Sequence, residues 1–274
     1  MQLQTGPIRF RIEASTELLQ LAVDCLALQW PTRHADPSDL EVQVCTRLCL
    51  YESPVTLTSE QSFVREGDPA KGAWRMGQDP LWIAEGNGLD SVSVTLATNH
   101  SQGIAISGLQ QFFRHFVTEA LQAIGGIAFH AAAVARPAGA YVFLSPSGGG
   151  KTTLIKGHSL GNSLADDMTL VVPGRVGPWI VPSPFPGREK LQAQGPAAPL
   201  AMIVDLVKDE QAFVTRLSTA EALSSLILRA FMTDAAISIR ERVMDASLRL
   251  ARNHGVTRLG LPIERSPWPM LDFQ

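Results

Sequence analysis

Apolar and polar residues alternate over most of the first hundred positions. In "IRFRIEA", Ile8, Phe10 and Ile12 alternate with Arg9, Arg11 and Glu13, the two-residue period of a strand with one face buried. "LEVQVCTRLCLY", "LWIAEG" and "SVSVTLAT" read as further strands, and "REGDPAKG" and "GQDP" as the turns that punctuate them. One helix interrupts the series: Leu18, Leu19, Ala22, Val23 and Leu26 recur at helical spacing, predicting a helix from Thr16 to Leu28. From Ser107 the period lengthens. "SGLQQFFRHFVTEALQAIGG" lines Leu109, Phe112, Phe113, Phe116, Val117, Ala120, Leu121 and Ile124 along one stripe, with Ser107 as N-cap and Gly125-Gly126 as the stop. The strands "IAFHAAAVA" and "YVFL" follow around the turn "RPAGA", then a glycine-rich turn, a short helix and the strand "MTLVV". "STAEALSSLILRAF" opens on the capping-box pattern Ser218-x-x-Glu221; a last helix is predicted from Ile237 to Asn253, before the closing strand "VTRLGLPI". These patterns predict a β-rich N-terminal region over 1–106 and an α/β region over 107–274, α+β overall.

Composition narrows the class without naming a chemistry. With 274 residues, 45% of them hydrophobic and 18% charged, the chain is a globular protein with material for a large core. A net charge of −3 and the lack of any basic run argue against a nucleic-acid partner. No span is long and apolar enough to cross a membrane, and "MQLQTGPIRFRIEAS" lacks the apolar core of a signal peptide. The expectation is a cytoplasmic protein without a membrane partner; self-association into a homo-oligomer is left open. Cys45 and Cys49 have C-x3-C spacing, but no second Cys/His pair follows at zinc-site spacing. With Cys25 they are expected to be reduced, buried and inert, and Trp30, Trp74 and Trp82 to pack in the core.

Candidate chemistry gathers in "FLSPSGGGKTTLIKGHSLGNSLADDMTLVV", from Phe143 to Val172. A phosphate cradle needs converging backbone N–H groups and no side chains in the way. Gly148, Gly149 and Gly150 meet that need, and the helix that follows adds its positive end. Lys151 supplies a mobile charge for the β- and γ-phosphates, and Thr152 a hydroxyl for magnesium. Ser145, Ser147 and Thr153 complete the expected nucleotide-binding set. The pattern G-x-x-x-x-G-K-[ST] calls for glycine at 145, where this chain has serine. Asp166 and Asp167 open the strand after the short helix, fifteen and sixteen residues past Lys151. Adjacent carboxylates repel, so a cation or donor between them and the phosphates would let both ionise. His130 stands in an otherwise apolar strand, 21 residues before Lys151, where it can reach a metal or a γ-phosphate.

Together, the strand histidine in "FHAAAV", the loop "SPSGGGKTTL" and the paired acids in "LADD" resemble the HPr kinase/phosphorylase and phosphoenolpyruvate carboxykinase superfamily. The resemblance is close from Gly126 to Val172 and loose from Ser107 onward. "WIVPSPFPGREKLQ" is similar to the "PF-G" segment of small HPr kinase-like proteins of modified-peptide clusters, including lasso-peptide kinases. The resemblance implies a P-loop core like the HPr kinase C-terminal domain and an ATP- and Mg2+-dependent kinase acting on a serine or threonine of a peptide or protein. It also implies roles: Lys151 at the phosphates, His130 beside the metal or γ-phosphate, Thr152 and Asp167 on the metal, and Asp166 as base, the two aspartates being exchangeable. Arg188 or Lys190 could clamp the phosphate or the acceptor. The alternative is a non-catalytic ATP-binding accessory protein for a precursor peptide or partner enzyme. Neither LSGGQ nor N-K-x-D occurs, which disfavours ABC and GTPase readings.

Overall fold

Alternation becomes sheet in the computed structural model, which describes residues 1–28, 30, 40, 44–53, 62–146, 148–158, 162–187, 191–232, 237–262 and 265–271. The chain is mixed α and β, and it divides into two units. One holds the described residues of 1–30, 44–124 and 232–241; the other holds residue 40 and those of 125–231 and 242–271.

In the first unit, β1 (Gln2–Thr5), β2 (Ile8–Ala14), β3 (Val44–Glu52), β4 (Ser62–Gly67), β5 (Ala73–Asp79), β6 (Trp82–Asn87) and β7 (Ser91–Leu96) form one sheet. Its order is β1-β2-β3-β7-β6-β5-β4, with β2, β3 and β7 parallel and the other pairings antiparallel. The predicted first helix is present as α1 (Glu17–Ala27), with the Thr16 hydroxyl accepting from the Leu19 N–H as its cap. α2 runs Gln102–Ala123, so Ser107, expected as N-cap, lies inside the helix, and Ser101 stands at the N-cap position without a side-chain cap hydrogen bond. Glycine at 108 disguised the first turn. A Cβ there would come 2.8 Å from Leu96 Cδ2, so glycine in mid-helix lets α2 pack close against β7 without displacing that side chain.

The aromatic stripe of α2 also moves the expected boundary between the two regions. Phe113 packs edge-on against Phe10 and Trp30 at ring separations of 5.1 and 5.3 Å, and Phe112 and Phe116 meet Trp82 and Trp74. Each such buried ring contributes about 2–3 kcal/mol, so α2 belongs to the first unit, and the division falls after Ile124 rather than at 106. Trp30, Trp74 and Trp82 are core residues. The cysteines correct a second expectation. In β3 the buried positions are Val44, Thr46, Leu48 and Leu50; Cys45 alternates with them and is exposed, and Cys49 is half-buried. All three cysteines are free thiols.

The second unit is built on β8 (Ile127–Arg136), β9 (Gly139–Leu144), β10 (Ser163–Ala165), β11 (Met168–Pro173), β12 (Pro178–Val181), β13 (Ala198–Lys208), β14 (Phe213–Arg216) and β15 (Thr257–Leu261). β8 pairs antiparallel with β9, β10 and β11, while β13 runs parallel to both β9 and β15. Its helices are α3 (Lys151–His158), α4 (Thr219–Ile227), the part of α5 (Ile237–Asn253) from residue 242, and α6 (Trp268–Leu271). The capping box forms as predicted: Ser218 Oγ accepts from the Glu221 N–H, and the Glu221 carboxylate accepts from the Ser218 N–H at 2.9 Å. Such a cap stabilises a helix by about 1 kcal/mol. Successive β8 residues point to opposite faces. Ile127, Phe129, Ala131 and Ala133 join a core with Ala222, Leu226, Val243 and Leu250, while Ala132 and Val134 join another with Leu154, Trp268 and Leu271. α4 and α5 therefore cover one face and α3 and α6 the other. No helix among the described residues is long and apolar enough to cross a membrane.

Candidate active site

The pairing of β8 brings the chemistry together. In the β8–β9 ladder Ala131 faces Leu144, the residue before the glycine-rich loop. One residue earlier on β8, His130 therefore lies beside the start of that loop. In the β8–β11 ladder Met168 faces His130, and the Ala131 N–H donates to the Asp167 carbonyl at 3.1 Å. Three segments thus meet at the middle of β8, where its pairing passes from β11 to β9.

Side chains link them in a chain. Asp167 Oδ1 lies 3.1 Å from His130 Nδ1, and Lys151 Nζ lies 3.5 Å from His130 Nε2. A neutral imidazole with its proton on Nδ1 satisfies both: it donates to the carboxylate and accepts from the ammonium. His130 and Asp167 are partly exposed, whereas Lys151 is buried at 6%. Its ammonium donates to the Ser145 carbonyl at 2.8 Å and the Pro146 carbonyl at 3.2 Å, and lies 3.4 Å from Ser145 Oγ. Burial holds the lysine below its ordinary pKa; the Asp167 carboxylate opposes that, and the nearby Arg229 guanidinium adds to it.

The loop itself is open at two of its three glycines. Gly148 and Gly150 have φ of +74° and +97°, and a Cβ on either would meet nothing within 4 Å. That conformation favours glycine, and the open space leaves room for an anion beside the N-terminus of α3. Thr152 is half-buried and Thr153 exposed in the first turn of that helix. Ser147, Arg188 and Lys190 lie outside the described residues.

Asp166 is 5% exposed and its Oδ1 accepts from the Gly187 N–H at 2.9 Å. The "PFPG" segment thus ends as a backbone donor to the first aspartate. A Cβ at residue 187 would lie 3.0 Å from Asp167 Cβ and 3.1 Å from Asp166 Oδ2, so glycine lets the segment sit close against both acids without displacing them. The proline and glycine of that segment marked a turn; its target acid, 21 residues away, carried no local signal.

Arg229 is the site residue that sequence reasoning missed. After α4 the chain returns to β8: the Arg229 carbonyl accepts from the His130 N–H at 2.6 Å, and the Phe231 N–H donates to the Ala128 carbonyl at 2.9 Å. The Phe231 ring stands edge-on to the His130 ring at 6.1 Å. Arg229 Nε is sealed from solvent without a hydrogen-bond partner. "LRAF" after an apolar helix has no signature; only the pairing with β8 brings this arginine near enough for its charge to act on the loop lysine. No family model matches the chain, and no curated protein matches it in sequence.

Proposed function

We propose that the chain is an ATP- and magnesium-dependent kinase that phosphorylates a serine or threonine hydroxyl of a peptide or protein. Its core would be the P-loop core of the HPr kinase and phosphoenolpyruvate carboxykinase superfamily, and modified-peptide biosynthesis is the setting that the "PF-G" resemblance suggests. One observation carries this reading: Lys151, His130 and Asp167 form a hydrogen-bond-range chain beside an open glycine loop. A buried lysine, an imidazole and a carboxylate at a loop with room for an anion suit phosphoryl transfer, where catalysis is mostly positioning and charge stabilisation.

In this reading the backbone of 148–150 and Lys151 hold the triphosphate. Thr152 and Asp167 offer hydroxyl and carboxylate oxygens, the donor set of a hard divalent cation. When bound, magnesium would neutralise charge on the phosphate oxygens. Asp166, oriented by Gly187, takes the proton of the acceptor hydroxyl as that oxygen bonds to the γ-phosphorus. The bond from the γ-phosphorus to the β,γ-bridging oxygen breaks and ADP leaves. Arg229 supplies a cation near Lys151, the clamp role otherwise expected of Arg188 or Lys190.

A second reading has an observation of its own. The Lys151 ammonium rests on carbonyls of its own loop, which suits an ATP-binding accessory protein that holds a precursor peptide or partner enzyme without catalysis. Thermal melting with Mg-ATP tests what both readings share: at 100-fold excess over Kd, binding adds about 2.7 kcal/mol. The Lys151→Ala variant should lose most of that shift; a wild type that does not respond refutes both readings. A co-purifying polypeptide that gains phosphate on serine or threonine with wild type, but not with Asp166→Asn, supports the kinase. Tight Mg-ATP binding with no phosphate gained supports the accessory protein.

A further inference from the structure

Only two of the three loop glycines are explained by backbone conformation. Gly148 and Gly150 have left-handed φ and open space around them. Gly149 does not have a left-handed φ, yet a Cβ there would lie 2.4 Å from Ser145 Oγ, 2.7 Å from Ser145 Cβ and 2.9 Å from the Pro146 carbonyl oxygen. Contacts under 3.0 Å do not occur without displacement. The space that glycine leaves at 149 is thus filled by the serine at 145, the position where the phosphate-loop pattern has glycine.

We infer that Ser145 is the positioning residue of this loop: its side chain, locked against Gly149, fixes the carbonyls of residues 145 and 146 on which the Lys151 ammonium rests. Ser145 is fully buried, and its hydroxyl donates to the Pro146 carbonyl at 3.3 Å. The Gly149 N–H donates to the same carbonyl at 3.0 Å, closing the turn. The contact of Ser145 Oγ with Lys151 Nζ is long, 3.4 Å, whereas the carbonyl contact is 2.8 Å. The side chain therefore acts mainly through packing, and the peptide oxygens do the holding. An incoming phosphate must replace those oxygens around the ammonium, so the lock sets how readily the lysine is released. That last consequence rests on the reading of Lys151 as the phosphate-binding lysine; the lock itself does not.

A double-mutant cycle on the full chain separates the two. Gly149→Ala alone should lower Tm by about 3–10 °C, as overpacking does in a protein of this size. The same change in a Ser145→Gly background should cost clearly less, because the two closest contacts are gone and only that with the Pro146 carbonyl remains. In a Ser145→Ala background the cost should persist, since the Cβ that clashes is retained. Additive losses across the cycle overturn the inference. The second readout is the rate at which an amine-reactive acetylating reagent modifies Lys151 at one fixed pH, followed by mass spectrometry. Ser145→Gly should raise that rate severalfold, as the side chain leaves its buried seat on the loop carbonyls. An unchanged rate overturns the inference, because a serine that only packs would leave the lysine in place. Neither readout uses nucleotide. Protection of Lys151 from acetylation by Mg-ATP tests the phosphate reading on its own, so either conclusion can fail while the other stands.

Discussion

Stability at mild acid should depend on a histidine outside the candidate active site. His115, on the middle of α2, packs at a tilt against Phe63 and Trp82 at ring separations of 5.4 and 5.5 Å. Its Nδ1 is sealed from solvent and has no hydrogen-bond partner. Burial, with the Arg65 and Arg114 guanidinium groups nearby, lowers its pKa from 6.5 to about 4. Glu119, one turn along the helix, does not offset this, since it forms a buried ion pair with Arg65. A depressed histidine pKa means that the unfolded chain binds its proton first. The stability that the neutral ring provides is complete above pH 6.5 and is lost as pH falls toward 4. At 1.36 kcal/mol per pH unit, that window is worth about 3 kcal/mol, a sizeable share of a typical 5–15 kcal/mol total. Urea unfolding of wild type and His115→Phe from pH 7.5 to 4.5 measures it. Phenylalanine keeps a ring between Phe63 and Trp82 but cannot titrate, and other acid-sensitive groups cancel in the difference. The variant should gain on wild type progressively below pH 6.5, while the His115 Cε1 proton resonance titrates near pH 4. A stability difference independent of pH, or an imidazole that titrates near 6.5, would refute the reasoning.

The two aspartates should separate by function. Asp167→Asn should weaken the magnesium dependence of nucleotide binding; Asp166→Asn should leave binding nearly intact while transfer falls roughly 10²–10⁴-fold, and equal binding losses would contradict this division. His130→Asn should leave the nucleotide-free melting temperature nearly unchanged, because the ring is partly exposed. It should weaken binding of a non-hydrolysable ATP analogue roughly tenfold or more and ADP less; uniform loss in thermal shifts with analogue, ADP and no nucleotide would return His130 to a packing role.

Features held within a few residues were legible in the chain. The Ser218–Glu221 capping box, the bounds of α5 and the alternation in β2 depend on neighbours one to four positions away, and their residue patterns state them. The start of α2 was hidden because Gly108 is chosen by Leu96, a residue of another element. The cysteines of β3, expected to be buried, alternate with Val44, Leu48 and Leu50 and so lie on the opposite face of the strand. Within the site, the Gly187 hydrogen bond to Asp166 and the influence of the Arg229 charge on Lys151 are non-local, with no motif of their own.

Register is what turns the three candidate motifs into one site. His130 points to the face of β8 that carries α3, while Phe129 and Ala131 point to the face covered by α4 and α5. A one-residue slip of β8 against β9 and β11 would exchange those faces. Phenylalanine would then stand beside the loop lysine, and an imidazole would be buried among Leu226, Val243 and Leu250 without a polar partner. Burying that ring unpaired would cost about 1–3 kcal/mol, and exposing Phe129 would cost about as much again. The apolar residues that flank His130 therefore select the register in which the imidazole faces Lys151 and Asp167. The same alternation that folds the strand aims the histidine.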